Sequence, residues 1–358
     1  MLATTDKQSL LQERIAERFN SPVYTTVDEL VSLRDIAQTL SRRSRRRLRS
    51  DMSGPEASAI LGRGLDFAEV RGYQPGDDVR MIDWKVTART GQAHTKLFVE
   101  EKERPIFIVV DCRSSMRFGT RRMFKSVLAA RLAAILGWCA VSNNDRVGGL
   151  VFTDGKHREI KPQAGRRGLM MLFRAIEEAH AKEANFVSGE GHSALADESV
   201  NATANKTESE VAEPVVSSDE SLSAHLLQQL NRLRHIVHTG SSVYVLSDFT
   251  GFDAACESAL GPLARSSDML GLLIEDPLDH ALPPPGRYSV AGRSGRVTIE
   301  TSANKIRRFY EHRHHQLGER LNRFFSGNRC QLLPLSTDTD FIDLVTQMLS
   351  RTSLGQQV

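Results

Sequence analysis

Strand-like runs alternate with helical patterns from residue 106 onward, and this alternation restricts the fold more than any other feature. Predicted strands lie at 106–110, 146–152, 157–161, 243–246, 269–274 and 330–335. Predicted helices lie at 123–141, 165–181, 222–238, 253–264, 306–324 and 341–349. Continuous apolar strands such as IFIVV are typical of strands that are buried on both faces. We therefore predict a mostly parallel sheet covered by helices on both sides, a three-layer α/β (Rossmann-like) domain over 105–350. A hairpin over 287–301 interrupts the alternation.

Two segments precede this domain. Residues 1–50 are predicted to be a helical N-terminal segment, because Thr26 and Glu29 form a capping-box pattern before apolar residues at helical spacing. Residues 51–104 are dense in charges of alternating sign and are predicted to form a small β-rich subdomain.

The N-terminal segment ends in a cluster of six arginines. These are Arg42, Arg43, Arg45, Arg46, Arg47 and Arg49. Such an arm can bind phosphates or an acidic surface through its charge. No aromatic side chains are interleaved to stack on bases, so a solvated linker is the preferred interpretation and nucleic acid is a disfavoured partner.

A strongly acidic stretch lies inside the α/β domain. Residues 183–220 carry nine acids and one base, so the rest of the chain, whose total net charge is +3, sums to +11. The stretch is rich in Ser, Glu and Ala and has no periodicity. We predict a disordered acidic insertion over 183–221.

The expected location is the cytoplasm, without a transmembrane segment. The longest uncharged apolar stretch, Leu132 to Val141, is too short to cross a bilayer, and charges interrupt the N-terminus where a signal peptide is apolar. The four cysteines are scattered and form no C-x-x-C pair, which fits a reducing compartment.

Two predicted strands end in an aspartate. IFIVV ends at Asp111, and VYVLS ends at Asp248. In open parallel sheets, ligands bind beyond the carboxyl ends of the strands, so both side chains are expected at one edge. Asp111 is followed by Arg113 and Ser115. The carboxylate oxygens of Asp111 and the hydroxyl oxygen of Ser115 suit a hard cation such as Mg²⁺. Helix capping is the alternative role for both aspartates.

The charges of the small subdomain allow two interpretations. The residues concerned are Asp66, Glu69, Arg71, Tyr73, Gly76, Asp77, Asp78, Arg80, Asp83 and Trp84. They form either a docking face whose register is set by charge or an internal network of ion pairs. We prefer the network, because interleaved side chains such as Tyr73 and Trp84 would bury the pairs.

Two resemblances follow from these motifs. The metal-ion-dependent adhesion site of von Willebrand factor A domains has the motif Asp-x-Ser-x-Ser after one strand and Ser/Thr-Asp after a later one. The residues that follow the two strands ending in aspartate resemble this site. The longer pattern GRGLDFAEVRGYQPGDDVRMIDWKVTAR with KLFVEEKERPIFIVVDCRSSM resembles the bacterial "domain of unknown function 58" (DUF58) family. Members are von Willebrand factor A-like proteins that commonly accompany MoxR-type AAA+ ATPases. The resemblance implies such an ATPase as a partner, other von Willebrand factor A proteins as further partners, and no catalysis.

The ligands implied by the adhesion-site motif are only partly present. Asp111, Ser115 and Asp248 match the motif, whereas Arg113 occupies the position of its first serine and the intervening threonine has no counterpart. Our hypothesis is that Arg113 replaces the ion by pairing with Asp111, Asp248 or both. A weakened Mg²⁺ site and an Arg113 directed to solvent are the alternatives.

The function predicted from the sequence is therefore a non-enzymatic, cytoplasmic adaptor or co-chaperone-like partner of a MoxR-type ATPase. Binding of nucleic acid or an anionic surface through the arginine arm is the alternative, and a metal-dependent hydrolase is a third reading that lacks a complete catalytic set. His312, His314 and His315 are interpreted as a solvated face rather than a metal site.

Overall fold

The computed structural model describes residues 19, 21–39, 61–74, 77, 79–99, 104–187, 217–292 and 295–351. The chain divides into two compact units: Met1–Leu48 together with Arg104–Val358, and Arg49–Glu103. The N-terminal segment, predicted as a region of its own, is therefore part of the larger unit. The arginine-rich arm, Gly76 and Asp78 lie outside the described residues.

Strands and helices are numbered in chain order. The strands are β1 (Leu61–Gly72), β2 (His94–Val99), β3 (Pro105–Asp111), β4 (Arg146–Phe152), β5 (His157–Gln163), β6 (Ser242–Ser247), β7 (Asp268–Glu275), β8 (Arg287–Gly292), β9 (Gly295–Glu300) and β10 (Gln331–Ser336). The helices are α1 (Val27–Ser32), α2 (Trp84–Thr90), α3 (Lys125–Ser142), α4 (Arg166–Val187), α5 (Ser217–Ile236), α6 (Ala254–Ser266), α7 (Pro277–His280), α8 (Asn304–Gly327) and α9 (Phe341–Arg351).

The larger unit is built on a six-stranded sheet with the order β10–β7–β6–β3–β4–β5. Five strands are parallel, and β5 pairs antiparallel with β4 at one edge. This confirms the predicted mostly parallel sheet of a three-layer, Rossmann-like α/β fold. β8 and β9 form the predicted antiparallel hairpin.

Helices cover both faces of the sheet because the strand residues alternate in direction. Ile106, Ile108 and Val110 of β3 face one core with α3, α4 and α9, whereas Phe107 and Val109 face the other core with α5, α6 and α8. This is the period expected of a strand buried on both sides.

Helix α3 lies in the centre of the first core. It is long and apolar enough to span a membrane by length and composition, and 89% of it is buried inside the protein. Its only charged residues are Lys125 and Arg131, and both are buried as well.

Arg131 joins α3 to the N-terminal segment. Its Nε donates to Glu29 Oε1 at 2.7 Å, its Nη2 donates to the Ser21 carbonyl at 2.9 Å, and its guanidinium lies 3.6 Å from the centre of the Phe19 ring. Thr26 caps α1 as predicted, by accepting from the Glu29 N–H. The prediction was incomplete for Glu29, because its carboxylate serves as the buried partner of Arg131.

The smaller unit pairs β1 with β2 and carries α2 after a short 3₁₀ turn. Arg71 pairs with Asp77 at 2.8 Å, and Asp83 caps α2 by accepting from two backbone N–H groups. The prediction that aromatic residues bury the ion pairs is wrong for Trp84, which is 69% exposed, and Arg80 is exposed too. Asp66 and Glu69 lie in β1, where only the backbone is described.

The boundaries predicted for the acidic insertion were wrong. Helix α4 extends to Val187 and helix α5 begins at Ser217, so both ends of the predicted 183–221 segment are helical. Residues 188–216 lie outside the described part of the chain.

Because His180 of α4 is buried, we expect the protein to lose stability in acid. Its ring is 1% exposed, its Nδ1 accepts from the Thr25 backbone N–H at 3.3 Å, and burial followed by the charges of Arg117 and Arg131 lowers its pKa to about 4. The unfolded chain, with a histidine pKa near 6.5, therefore binds the proton first, and stability falls as the pH drops below about 6.5. Between pH 7 and pH 5 this histidine should remove about 2 kcal/mol from the free energy of unfolding.

Urea unfolding at the two pH values measures this effect. The variant His180→Gln should have a smaller loss between pH 7 and pH 5, whereas His235→Gln, at an exposed position, should keep the loss of the wild type. An unchanged pH dependence in His180→Gln would show that this histidine is not responsible.

Candidate functional site at the carboxyl edge of the sheet

Three adjacent parallel strands bring acidic residues to one edge of the sheet. β3 ends at Asp111, β6 is followed by Asp248, and β7 ends at Glu275. Because β3 pairs with β6 and β6 pairs with β7, all in parallel, these carboxylates converge although they are distant in sequence. The strand order therefore brings Asp111 and Asp248 to the same edge of the sheet, as predicted.

Arg113 is folded back onto Asp111. Its Nη2 lies 2.8 Å from Asp111 Oδ2, its Nε lies 3.1 Å from both carboxylate oxygens, and its backbone N–H donates to Oδ1 at 2.9 Å. Ser247 donates from its hydroxyl to Asp111 Oδ2 at 2.7 Å. Both Asp111 oxygens are therefore occupied by donors of the protein.

The same guanidinium reaches the second aspartate. Arg113 Nη2 lies 3.8 Å from Asp248 Oδ1, and Nη1 donates to the carbonyl of Thr250 at 3.0 Å. The Arg113 side chain is fully buried, which excludes the alternative that it points to solvent. Helix capping is not the role of Asp248, since the N-cap of α6 is Asp253.

A second cation, Lys125 at the start of α3, completes the cluster. Its Nζ lies 3.0 Å from Asp248 Oδ2 and 3.1 Å from Asp279 Oδ2. Lys125 was not among the site residues predicted from the sequence. Its signal was a lone charge at the start of an otherwise apolar helix, because a buried lysine needs a carboxylate partner.

The charges in this cluster stabilise one another. Burial by itself lowers the pKa of Arg113, but Asp111 and Asp248 outweigh it and raise that pKa above its ordinary value. The pKa of Lys125 is raised likewise by Asp248 and Asp279 against the effect of burial. Burial raises the pKa of Asp248, yet Lys125 and Arg113 lower it to about 2. All three groups remain charged at neutral pH.

These residues do not fit the Mg²⁺ site that the adhesion-site motif implies. The Arg113 guanidinium lies against the carboxylate oxygens that would be ion ligands, and Lys125 holds the remaining oxygen of Asp248. Ser114 contacts Asp154 through its hydroxyl at 3.2 Å. Only Ser115 matches the motif without a competing bond, because its buried hydroxyl has no hydrogen-bond partner among the described residues.

An open cleft of about 810 Å³ adjoins the cluster. Lys125, Asp248 and Asp279 line its inner end, and α8 lines its other side. The α8 residues include Phe309, which is 58% exposed, together with Tyr310 and Arg313. The cleft therefore combines exposed aromatic surface with charges of both signs.

Comparison with known proteins gives a family. The sequence pattern of the family described as "Protein of unknown function DUF58" matches residues 69–320. The "Uncharacterized protein Rv1480" of Mycobacterium tuberculosis (strain ATCC 25618 / H37Rv) is 32% identical over 139 residues, which are 39% of this chain and 44% of that protein. The "Uncharacterized protein YeaD" of Bacillus subtilis (strain 168) is 34% identical over 122 residues, 34% of this chain and 28% of that one.

The matched regions thus span less than half of these relatives. Among solved structures, the conserved hypothetical protein BatB from Bacteroides thetaiotaomicron aligns with 71% of this chain and 100% of its own, at 12% identity and a TM-score of 0.35. That likeness is too low to support an inference. The family match, in contrast, covers most of the chain, and the chain belongs to the DUF58 family.

Proposed function

We propose that this protein is a non-enzymatic, cytoplasmic protein-interaction module that binds its partner at the carboxyl edge of the sheet and in the adjoining cleft. The proposed partner is an AAA+ ATPase of the MoxR type, because the 62–116 motif resembles the DUF58 family and that resemblance implies such a partner. Other von Willebrand factor A proteins are further partners on the same ground.

The observation that carries the proposal is the buried contact of Arg113 with Asp111 and Asp248. The adhesion-site motif implies a cation bound at these aspartates. Arg113 supplies a permanent positive charge at the same aspartates and also donates to the Thr250 carbonyl, so it ties the loop after β3 to the loop after β6. The edge is thereby a degenerate adhesion site that needs no exogenous ion to hold its shape.

The lining of the cleft supports a polypeptide partner. Interfaces are enriched in aromatic residues and arginine at their centres. The exposed Phe309 and Arg313 and the half-buried Tyr310 of α8 supply these residue types in the cleft lining. Strongly held carboxylates favour recognition over acid–base catalysis, because Asp248, with a pKa lowered to about 2, is a weak base.

Affinity purification with a matched pair of charge reversals tests this proposal. The tagged protein, isolated from its native cells with and without ATP, should retain a MoxR-type ATPase identified by mass spectrometry. Arg313→Glu, within the cleft lining, should reduce the recovered ATPase at least about tenfold, the effect of losing one interface residue worth 1.4 kcal/mol or more.

The control is Arg308→Glu, which reverses an exposed charge on the same helix outside the cleft lining. It should recover the ATPase as well as the wild type does. Failure to recover any AAA+ ATPase, or equal recovery with both variants, would contradict the proposed partner or the proposed surface.

A further inference from the structure

Three possible metal ligands meet beside the cleft. Glu275 ends β7, His280 ends the short helix α7, and His314 lies in the middle of α8. Their ligand atoms all lie within 4.8 Å of one another. His314 Nε2 is 3.3 Å from Glu275 Oε1, and His280 Nε2 is 3.6 Å from Glu275 Oε2.

These distances suit ligands of one ion better than hydrogen bonds. Strong N–H···O bonds are about 2.7–3.2 Å long, so both contacts are longer than a good hydrogen bond. Two ligands that bind one tetrahedral ion at about 2.0–2.1 Å are separated by about 3.3–3.4 Å. The distance from His314 Nε2 to Glu275 Oε1 equals this separation. His280 Nε2 lies 3.6 Å from the other carboxylate oxygen, Oε2, so both imidazole nitrogens face the same carboxylate.

We propose that Glu275, His280 and His314 bind one Zn²⁺ ion. Two imidazole nitrogens with one carboxylate oxygen form a borderline donor set that suits Zn²⁺ better than Mg²⁺ or Ca²⁺, which prefer oxygen ligands alone. Three protein ligands leave a fourth tetrahedral position for a water molecule or another ligand. Glu275 and His314 line the cleft, so the bound ion would lie at its wall.

Local structure holds two of the three ligands, Glu275 and His280, together before any ion binds. Asp276, directly after Glu275, forms a capping box with Asp279 at the start of α7. The Asp276 carboxylate also accepts hydrogen bonds from the hydroxyls of Thr120 and Thr337, each at 2.6 Å. This fixes the direction of α7, whose last residue, His280, is thereby returned to Glu275.

The burial of Glu275 and the partial burial of His314, whose side chain is 24% exposed, also fit a site rather than a surface ion pair. Glu275 is only 8% exposed, and the His280 and His314 rings meet edge to face with centroids 4.4 Å apart. The neighbouring His315 on α8 differs, because its side chain is 71% exposed and pairs with Glu319 on the same helix. The predicted solvated face of His312, His314 and His315 is wrong for His314, which the fold places against Glu275 and His280 from two other elements.

This proposal does not depend on the proposed partner. It adds an ion to the cleft, close to but separate from the cluster around Asp248. The ion would join β7, α7 and α8, and its open coordination position could receive a carboxylate or histidine of a bound protein.

Titration of the untagged, chelator-treated full-length protein with Zn²⁺ in a calorimeter tests the site. One ion per chain should bind through these residues, and Co²⁺ as a probe should give the strong visible absorption of tetrahedral coordination. His280→Ala and His314→Ala should each weaken Zn²⁺ binding by more than about 100-fold, because loss of a partner outside the coordination shell alone costs about 10–100-fold.

His315→Ala is the matched control on the same helix and should bind Zn²⁺ like the wild type. His280 is 52% exposed, so its replacement should leave the fold intact, and circular dichroism checks this for every variant. Zn²⁺ affinity that is unchanged in both His280→Ala and His314→Ala, or wild-type binding no stronger than that of Glu275→Gln/His280→Ala/His314→Ala, would overturn the proposal.

Discussion

Replacement of Arg113 by serine should lower the free energy of unfolding by about 3–5 kcal/mol at neutral pH. The change leaves the Asp111 carboxylate buried without its cation, and removal of one partner from a buried ion pair has a cost of this size. It also removes the hydrogen bonds from Arg113 to the carbonyls of Thr250 and Leu222. Urea unfolding in a metal-free buffer measures the loss.

Arg158→Ser is the matched control for this experiment. Arg158 pairs with Glu178 at 3.8 Å on the surface, where both side chains are about two-thirds exposed. Exposed pairs contribute about 0–1 kcal/mol, so this control should change stability by less than about 1 kcal/mol. An Arg113→Ser variant no less stable than Arg158→Ser would mean that Asp111 does not need the guanidinium.

The same variant should gain affinity for Mg²⁺. Without Arg113, Lys125 is the only buried counter-charge that the described residues provide for the carboxylates of Asp111, Asp248 and Asp279, which leaves a net charge of −2 for the ion to neutralise. Ser115 already offers a buried hydroxyl with no hydrogen-bond partner among the described residues. Mg²⁺ should therefore raise the melting temperature of Arg113→Ser and leave that of the wild type unchanged.

Calorimetric titration of the wild type with Mg²⁺ and Mn²⁺ tests whether an ion binds beside Arg113. If the wild type binds either ion tightly and Asp248→Ala abolishes that binding, then an ion coexists with Arg113 and the hypothesis of replacement is wrong. Arg113→Ser combined with Asp248→Ala should show neither the gain in affinity nor the rise in melting temperature.

The order of strands and helices could be predicted because it depends on local patterns. Apolar runs such as 106–110 indicate strands buried on both faces, and the rule that parallel strands deliver their ends to one edge correctly joined Asp111 with Asp248. The position of Arg113 was also open to sequence reasoning, since two buried carboxylates need a nearby cation.

The remaining site residues could not be predicted, because tertiary packing rather than sequence spacing brings them together. Lys125 meets Asp279 across 154 positions, and His314 meets Glu275 only because α8 crosses the end of β7. Burial itself was wrongly predicted for Trp84. Its large apolar side chain suggested that it covers a network of ion pairs, yet it is exposed. The sequence pattern predicts which residues of a helix or strand are buried, but it does not predict which helices and strands contact one another.

Removal of Arg131, the buried arginine of α3, should be comparably damaging. Arg131→Met leaves the Glu29 carboxylate buried without its partner, and it deprives the Ser21 carbonyl of its donor and the Phe19 ring of its cation. We expect a loss of about 3–5 kcal/mol in the free energy of unfolding. Because these contacts fasten Phe19, Ser21 and Glu29 to α3, limited proteolysis should also cleave the N-terminal segment faster than in the wild type.

A double-mutant cycle separates the pair from the packing around it. Glu29→Leu alone leaves Arg131 uncompensated and should also be strongly destabilising, whereas Glu29→Leu/Arg131→Met removes both charges and should be far more stable than the sum of the two single losses predicts. A buried ion pair often contributes little more than apolar residues of similar size, so the double variant should approach the wild type. Additive losses in the cycle would show that Glu29 and Arg131 act independently, and that the N-terminal segment is held by its apolar contacts instead.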